Sequence, residues 1–142
     1  MGFRLRTSEK TKDIFEELTN QTHLKPFALA KIAISLSLKE YEKEIDYDND
    51  QDGLELHRQT VTGDKDLIFK SMIETIENKQ LTEDEFYPDF VKKHIDRGAV
   101  IFINKLRYSG NYERFIKNIL SGEDNIWFIW ITTQQQKFIQ KY

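Results

Sequence analysis

Pro26-Phe27-Ala28-Leu29-Ala30-Lys31-Ile32-Ala33-Ile34-Ser35-Leu36-Ser37-Leu38 holds nine apolar residues among the twelve that follow the proline. A helix with so little wet face has to lie at the centre of a fold or in an interface between copies. Pro26 suits the first helical position, where its missing N–H costs nothing. Upstream, Ile14, Phe15 and Leu18 recur at helical spacing from about Ser8, which predicts a one-faced helix ending near Asn20 to His23. Before that, Phe3-Arg4-Leu5-Arg6 alternates apolar and basic, the pattern of a short strand with one buried face. So short a strand needs a partner, and the expected partner is a second copy of the chain.

Downstream, Glu40 to Asp52 has no apolar periodicity and strong self-repulsion, so it is expected to be the most exposed and mobile loop, closed by Gly53. Leu67, Ile68, Met72, Ile73 and Ile76 mark a third helix, with Thr62 or Asp64 as its expected cap. Thr82-Glu83-Asp84-Glu85 matches a capping box, and Pro88 predicts a single turn there followed by a fresh start. Phe90, Val91 and Ile95 give the next helix its apolar side, with Gly98 as a break or C-cap. Ala99 to Leu106 is rich in β-branched residues but has helical neighbours, and it reads as helix. Phe115, Ile116, Ile119 and Leu120 place a last helix before Ser121-Gly122. The predicted class is mainly α: a strand-helix-helix start, then three to four further helices. Residues 1–122 form a helical domain, and 123–142 form an aromatic extension in which Ile126-Trp127-Phe128-Ile129-Trp130-Ile131 is apolar on every side.

The 142 residues suffice for one domain with a real core. The absence of cysteine excludes a disulfide scaffold, a thiolate nucleophile and an iron–sulfur cluster. The N-terminus lacks an apolar signal core, and no apolar run approaches the roughly 20 residues of a membrane helix, so a cytoplasmic protein without membrane contact is expected. Net charge is -3 but is unevenly distributed: residues 1–39 carry +3, residues 40–56 carry -7, and the remainder carries +1. One acidic segment makes the chain acidic.

The usual signatures of catalysis are missing. His23, His57 and His94 are isolated, without a metal-spaced partner, and there is no GxSxG elbow, phosphate loop or GxGxxG turn. Pro88-Asp89 hints at a nuclease motif, but the nearby Glu77-Asn78-Lys79 precedes it instead of following. Asp48-Asn49-Asp50-Gln51-Asp52-Gly53 reproduces half of a calcium loop, yet position 12 is Gln59, which cannot supply the bidentate carboxylate. No enzyme activity, metal or cofactor is expected.

A short basic strand followed by two helices is the layout of ribbon-helix-helix proteins, in which two copies pair their strands and lay the polar face in the major groove; here Arg4 and Arg6 would form that face. Such repressors are usually little longer than the strand and two helices, which disfavours that identity for this chain. The motifs Arg4-Leu5-Arg6, Thr22-His23-Leu24-Lys25-Pro26, Lys31-Ile32-Ala33-Ile34-Ser35-Leu36-Ser37-Leu38, Arg58-Gln59-Thr60-Val61-Thr62-Gly63-Asp64 and His94-Ile95-Asp96-Arg97-Gly98, in that order and spacing, resemble the DndE family of the bacterial DNA phosphorothioation (Dnd) system over about residues 3 to 120. The resemblance implies an all-helical subunit, a homotetramer and binding to duplex DNA with a preference for nicks, in a pathway that replaces a non-bridging phosphate oxygen by sulfur. It also implies that the sulfur chemistry belongs to other Dnd proteins, which accords with a chain lacking cysteine. His23 stands where family members typically carry Gly, and His tolerates positive φ better than most residues.

Arg4, Arg6, Lys10, Lys12, Lys25 and Lys31 are the candidate DNA contacts, expected to meet phosphates instead of reading bases. The competing expectation is an adaptor that docks other Dnd proteins through its acidic loop and aromatic tail and has little DNA affinity of its own.

Overall fold

The computed structural model describes residues 4–120. The order is β1 (Arg4–Arg6), α1 (Glu9–Thr22), α2 (Pro26–Lys39), β2 (Glu55–His57), α3 (Arg58–Val61), a 3-10 turn (Gly63–Lys65), α4 (Asp66–Glu77), the single turn α5 (Glu83–Glu85), a π-helical segment (Phe86–Val91), α6 (Lys92–Ser109) and α7 (Tyr112–Leu120). The chain is mainly α, with the expected strand-helix-helix start. No described helix is long and apolar enough to cross a membrane.

The fold is organised on the crossing of α2 and α6. Every α2 residue from Ile32 to Leu38 is buried, and the cover comes from this chain's own α6, α1, α3 and α4. The apolar character of α2 is therefore satisfied within one copy, and it gives no argument for self-association. The closeness of the crossing depends on Gly98. A Cβ at that position would lie 1.8 Å from the Ala33 carbonyl oxygen, so any side chain would force the helices apart. Gly98 was expected to break or cap a helix; instead α6 runs through it without interruption. Contact between two backbones overrides the local cost of a mid-helix glycine, on the order of 1 kcal/mol.

The partner of β1 also differs from expectation. β1 pairs antiparallel with β2 of the same chain, in the register Arg4 with His57, Leu5 with Leu56 and Arg6 with Glu55. Leu5 and Leu56 point into the core while their neighbours face solvent. The ribbon is extended by the Thr7 N–H on the Leu54 carbonyl (2.8 Å) and the Gly53 N–H on the Thr7 carbonyl (2.9 Å). The two-copy ribbon expected from the sequence is thus replaced by an internal one.

The acidic stretch after α2 is exposed, as expected, but it is tied down. The Arg97 guanidinium donates to the carbonyls of Ser37, Glu40, Tyr41 and Lys43, and Lys92 donates to the Asn49 carbonyl. The Asp50 carboxylate accepts the Glu9 N–H at 3.0 Å, an anion on the positive end of α1. That bond holds its carboxyl below the ordinary range. A Cβ on Gly53 would meet the Ser8 carbonyl oxygen at 2.0 Å. The calcium-like string therefore uses Asp50, at its third position, and Gly53 to close the loop on α1, and no cluster of described residues could hold a metal.

Smaller differences follow the same physics. Ser8 caps α1, and Thr82 with Glu85 forms the predicted capping box. Thr62 and Asp64 do not cap α4: the Thr62 hydroxyl goes to Asp66 at 2.6 Å, and Asp66 in turn pairs with Arg58. Pro88 does not restart a helix. It sits inside the π-helical segment, which leads directly into α6. Residues 123–142, the expected aromatic extension, lie outside the described residues.

Candidate nucleic-acid interface

The strand period puts Arg4 and Arg6 on the solvent face of the ribbon, with Glu55 and His57 beside them from β2. Arg4 reaches Glu55 at 3.5 Å, an exposed pair worth little in water. Arg6 is exposed and forms no ion pair with a described residue. His57, isolated in the sequence and not among the candidate contacts, joins this face. Its signal was Glu55-Leu56-His57, which alternates as Arg4-Leu5-Arg6 does but gains meaning only through pairing about fifty residues away.

Lys10 and Lys12 are exposed on α1, two positions apart and so roughly 200° around the helix from each other. They cannot face one surface together. Asp13 lies one turn from Lys10, and Glu9 and Glu16 lie one turn from Lys12, so the solvent side of α1 is mixed in charge, not basic.

The α1–α2 turn is a better basic feature. His23 closes α1 in the left-handed conformation (φ 60°), its N–H on the Thr19 carbonyl; the turn survives a residue larger than glycine. Lys25 is the exposed N-cap residue of α2 and contributes no side-chain cap, Pro26 follows, and the first turn carries no acid. A positive side chain at the positive end of a helix dipole is unfavourable in isolation and favourable once an anion is near. Lys31, five residues on, is half-buried with its ammonium 5.7 Å from the Phe27 ring centre. Burial pushes its pKa down, partly countered by Asp64. It belongs to the packing more than to the surface.

The structure thus places Arg4 and Arg6 together, puts Lys25 on a separate turn, and disperses Lys10, Lys12 and Lys31. Other basic residues serve the interior. Arg58 pairs with Asp66 and with Glu83 (2.7 Å) while lying over the Phe86 ring at 5.2 Å. Those carboxylates raise its pKa further above the usual arginine value.

The motif His94-Ile95-Asp96-Arg97-Gly98 is an assembly node. Asp96 holds the start of α1 through the Ser8 N–H (3.0 Å) and the Thr11 hydroxyl (2.7 Å). His94 Nδ1 meets the Ser37 hydroxyl at 2.7 Å, Arg97 secures the end of α2, and Gly98 admits Ala33. Ser37, His94 and Glu77 line up in the order of a catalytic triad, with His94 Nε2 3.5 Å from Glu77. Ser37 and His94 are fully buried, so no substrate reaches them, and the arrangement is a packing device.

A family model described as DNA sulphur modification protein DndE matches residues 4–121. Among solved structures, the crystal structure of DndE from Escherichia coli B7A involved in DNA phosphorothioation modification aligns with a TM-score of 0.52 and 22% identity, covering 68% of this chain and 93% of that one. No curated protein matches the chain significantly.

Proposed function

Because the chain belongs to the DndE family of DNA sulphur modification proteins, we propose that it is a non-catalytic, cytoplasmic DNA-binding subunit of the phosphorothioation machinery. It works as a homo-oligomer, a tetramer by analogy with the family, beside other Dnd proteins. It grips the phosphate backbone of duplex DNA, nicked duplex included, through Arg4 and Arg6 of the ribbon and Lys25 of the α1–α2 turn. Lys10 and Lys12 add electrostatic attraction, and Lys31 adds least.

The observation that carries this reading is the division of cations, with Arg4 on the exposed side of it, since its only ion pair among the described residues is the exposed one with Glu55. Arg58, Lys92 and Arg97 are held by internal partners, whereas Arg6, Lys10, Lys12 and Lys25 are exposed and form no ion pair with any described residue. Backbone contact fits better than base reading, since an internal ribbon offers only two arginines and lacks a second copy's strand to fill a groove.

Arg4→Ala combined with Arg6→Ala should weaken binding equally on unrelated duplex sequences and flatten the salt dependence by about 0.9 in log–log slope per lost phosphate contact. Both arginines are exposed, so the fold should survive. Unchanged affinity and slope would remove the ribbon from the interface. The charge of -7 over residues 40–56 favours the adaptor as second reading; that reading predicts no measurable DNA binding by the parent chain while other Dnd proteins are still captured.

A further inference from the structure

An open cleft of about 580 Å³ lies between the C-terminal end of α2, the following loop, α6 and α7. Its size falls in the range of about 300–1,000 Å³ typical of ligand pockets. Ile45, Ile101 and Phe115 supply apolar surface, and Lys39, Glu40, Lys43 and Lys105 line the polar side. Glu40 accepts from Lys105 at 2.7 Å and from Lys43 at 3.3 Å. Burial alone would raise its carboxyl pKa, but the two ammonium groups hold it below the ordinary range. Three lysines against one glutamate leave the cleft cationic. Tyr108, 92% exposed, also lines it, an aromatic ring left in water beside an apolar floor.

We propose that this cleft receives the chain's own C-terminal segment, with Ile126 to Ile131 on the apolar surface and Glu123-Asp124 against the lysines. Three observations select that occupant. The first is where the described chain ends: α7 finishes at Leu120, and its Phe115 and Asn118 already line the cleft. The six residues from Leu120 to Ile126 span up to about 20 Å, and they start from a helix that already forms one wall of the cleft. The second is charge, since two acids open the segment and the cleft has a net positive lining. The third is chemistry. An unbroken apolar run with two tryptophans needs cover from water, and the cleft offers apolar surface and the exposed ring of Tyr108. The segment lies beyond the family match, which ends at residue 121, so the pairing is a property of this chain and does not depend on the proposed DNA binding.

Trp127 and Trp130 are the only tryptophans, and the chain has no cysteine. Tryptophan emission therefore reports on the segment alone, and one introduced cysteine carries a nitroxide quencher to a chosen place. Asn104→Cys and Tyr108→Cys put the label at exposed cleft positions; Thr75→Cys puts it on exposed α4, outside the cleft. Circular dichroism checks that each full-length variant is folded. The expected result is loss of most tryptophan emission with either cleft label, retention with the α4 label, and no dependence on protein concentration. Equal quenching at all three positions, or none at either cleft position, would overturn the proposal. Labelled cleft variants that also carry Trp127→Phe and Trp130→Phe should not quench unlabelled parent chains on mixing. Quenching found only in that mixture would overturn it in favour of a segment exchanged between copies.

Discussion

Asp96→Ala should destabilise the fold by about 3–5 kcal/mol, the usual consequence of removing one partner of a buried ion pair. Asp96 is 1% exposed, and its two carboxylate oxygens serve three donors: the Ser8 N–H, the Thr11 hydroxyl and the Lys92 ammonium. Alanine leaves all three short of an acceptor and strands the Lys92 charge in the interior, where the Asn49 carbonyl at 3.3 Å is its remaining hydrogen-bond acceptor among the described residues. Asp96→Asn tests the assignment, because an amide oxygen can still accept from Ser8 and Thr11 while the charge of Lys92 goes unmatched. Adding Lys92→Met to Asp96→Asn should restore part of the loss, a coupling that separates the ion pair from mere packing. Denaturant melts of the parent, Asp96→Ala, Asp96→Asn, Lys92→Met and the Asp96→Asn/Lys92→Met double variant measure it. A loss below about 1 kcal/mol for Asp96→Ala would show that the pair contributes far less than buried pairs usually do.

Acid should unfold the protein through His94 before most carboxylates protonate. The ring is fully buried, and burial pushes its pKa down from 6.5 to about 4; Lys93 and Arg97 push the same way, and Glu77 opposes them. A folded-state pKa below the unfolded value means that the unfolded chain binds the proton first. The stability from this site is therefore complete above pH 6.5 and is lost as pH falls from there towards about 4. The whole shift corresponds to about 3 kcal/mol. Chemical denaturation across that window should show the decline in the parent chain and a flatter profile in His94→Gln, which removes the titrating ring and keeps a polar side chain for Ser37. Identical profiles for the two would contradict the assignment.

Much of the fold was legible because several helices bury one face. Ile14, Phe15 and Leu18 marked α1, and α4 lies where Leu67, Ile68, Met72, Ile73 and Ile76 predicted a helix, although it buries Phe69 and Ile73 and leaves Leu67 and Ile68 exposed. The run from Phe27 to Leu38 left the centre of the fold and an interface between copies both open, and α6, α1, α3 and α4 cover it within one chain. What could not be read was tertiary. Glu55-Leu56-His57 is too short to announce a strand until Arg4–Arg6 is beside it. Gly98 carries the local signal of a helix end, and only the approach of Ala33 explains it within α6. Lys92, His94, Asp96 and Arg97 look like the wet face of a helix, yet all are buried, and each hydrogen-bonds an element far away in sequence, His94 through Nδ1 alone. The loop expected to be mobile is fastened by two of them, Lys92 and Arg97. For the candidate interface, residue type identified the cations, but only the geometry separated Arg4, Arg6 and Lys25 from Lys31, which leans on Phe27.

Binding of a fluorescent duplex by the full-length parent protein, followed by anisotropy over a series of salt concentrations, tests the DNA-binding reading most directly. Intact and nicked duplexes of two unrelated sequences should all be bound at low salt, with log affinity falling linearly against log salt. For phosphate contacts by Arg4, Arg6 and Lys25 on a single subunit, the slope should be about -2.7, and steeper in proportion when more subunits engage one duplex. No binding at low salt, or binding that ignores salt and follows base sequence, would contradict a backbone-gripping subunit.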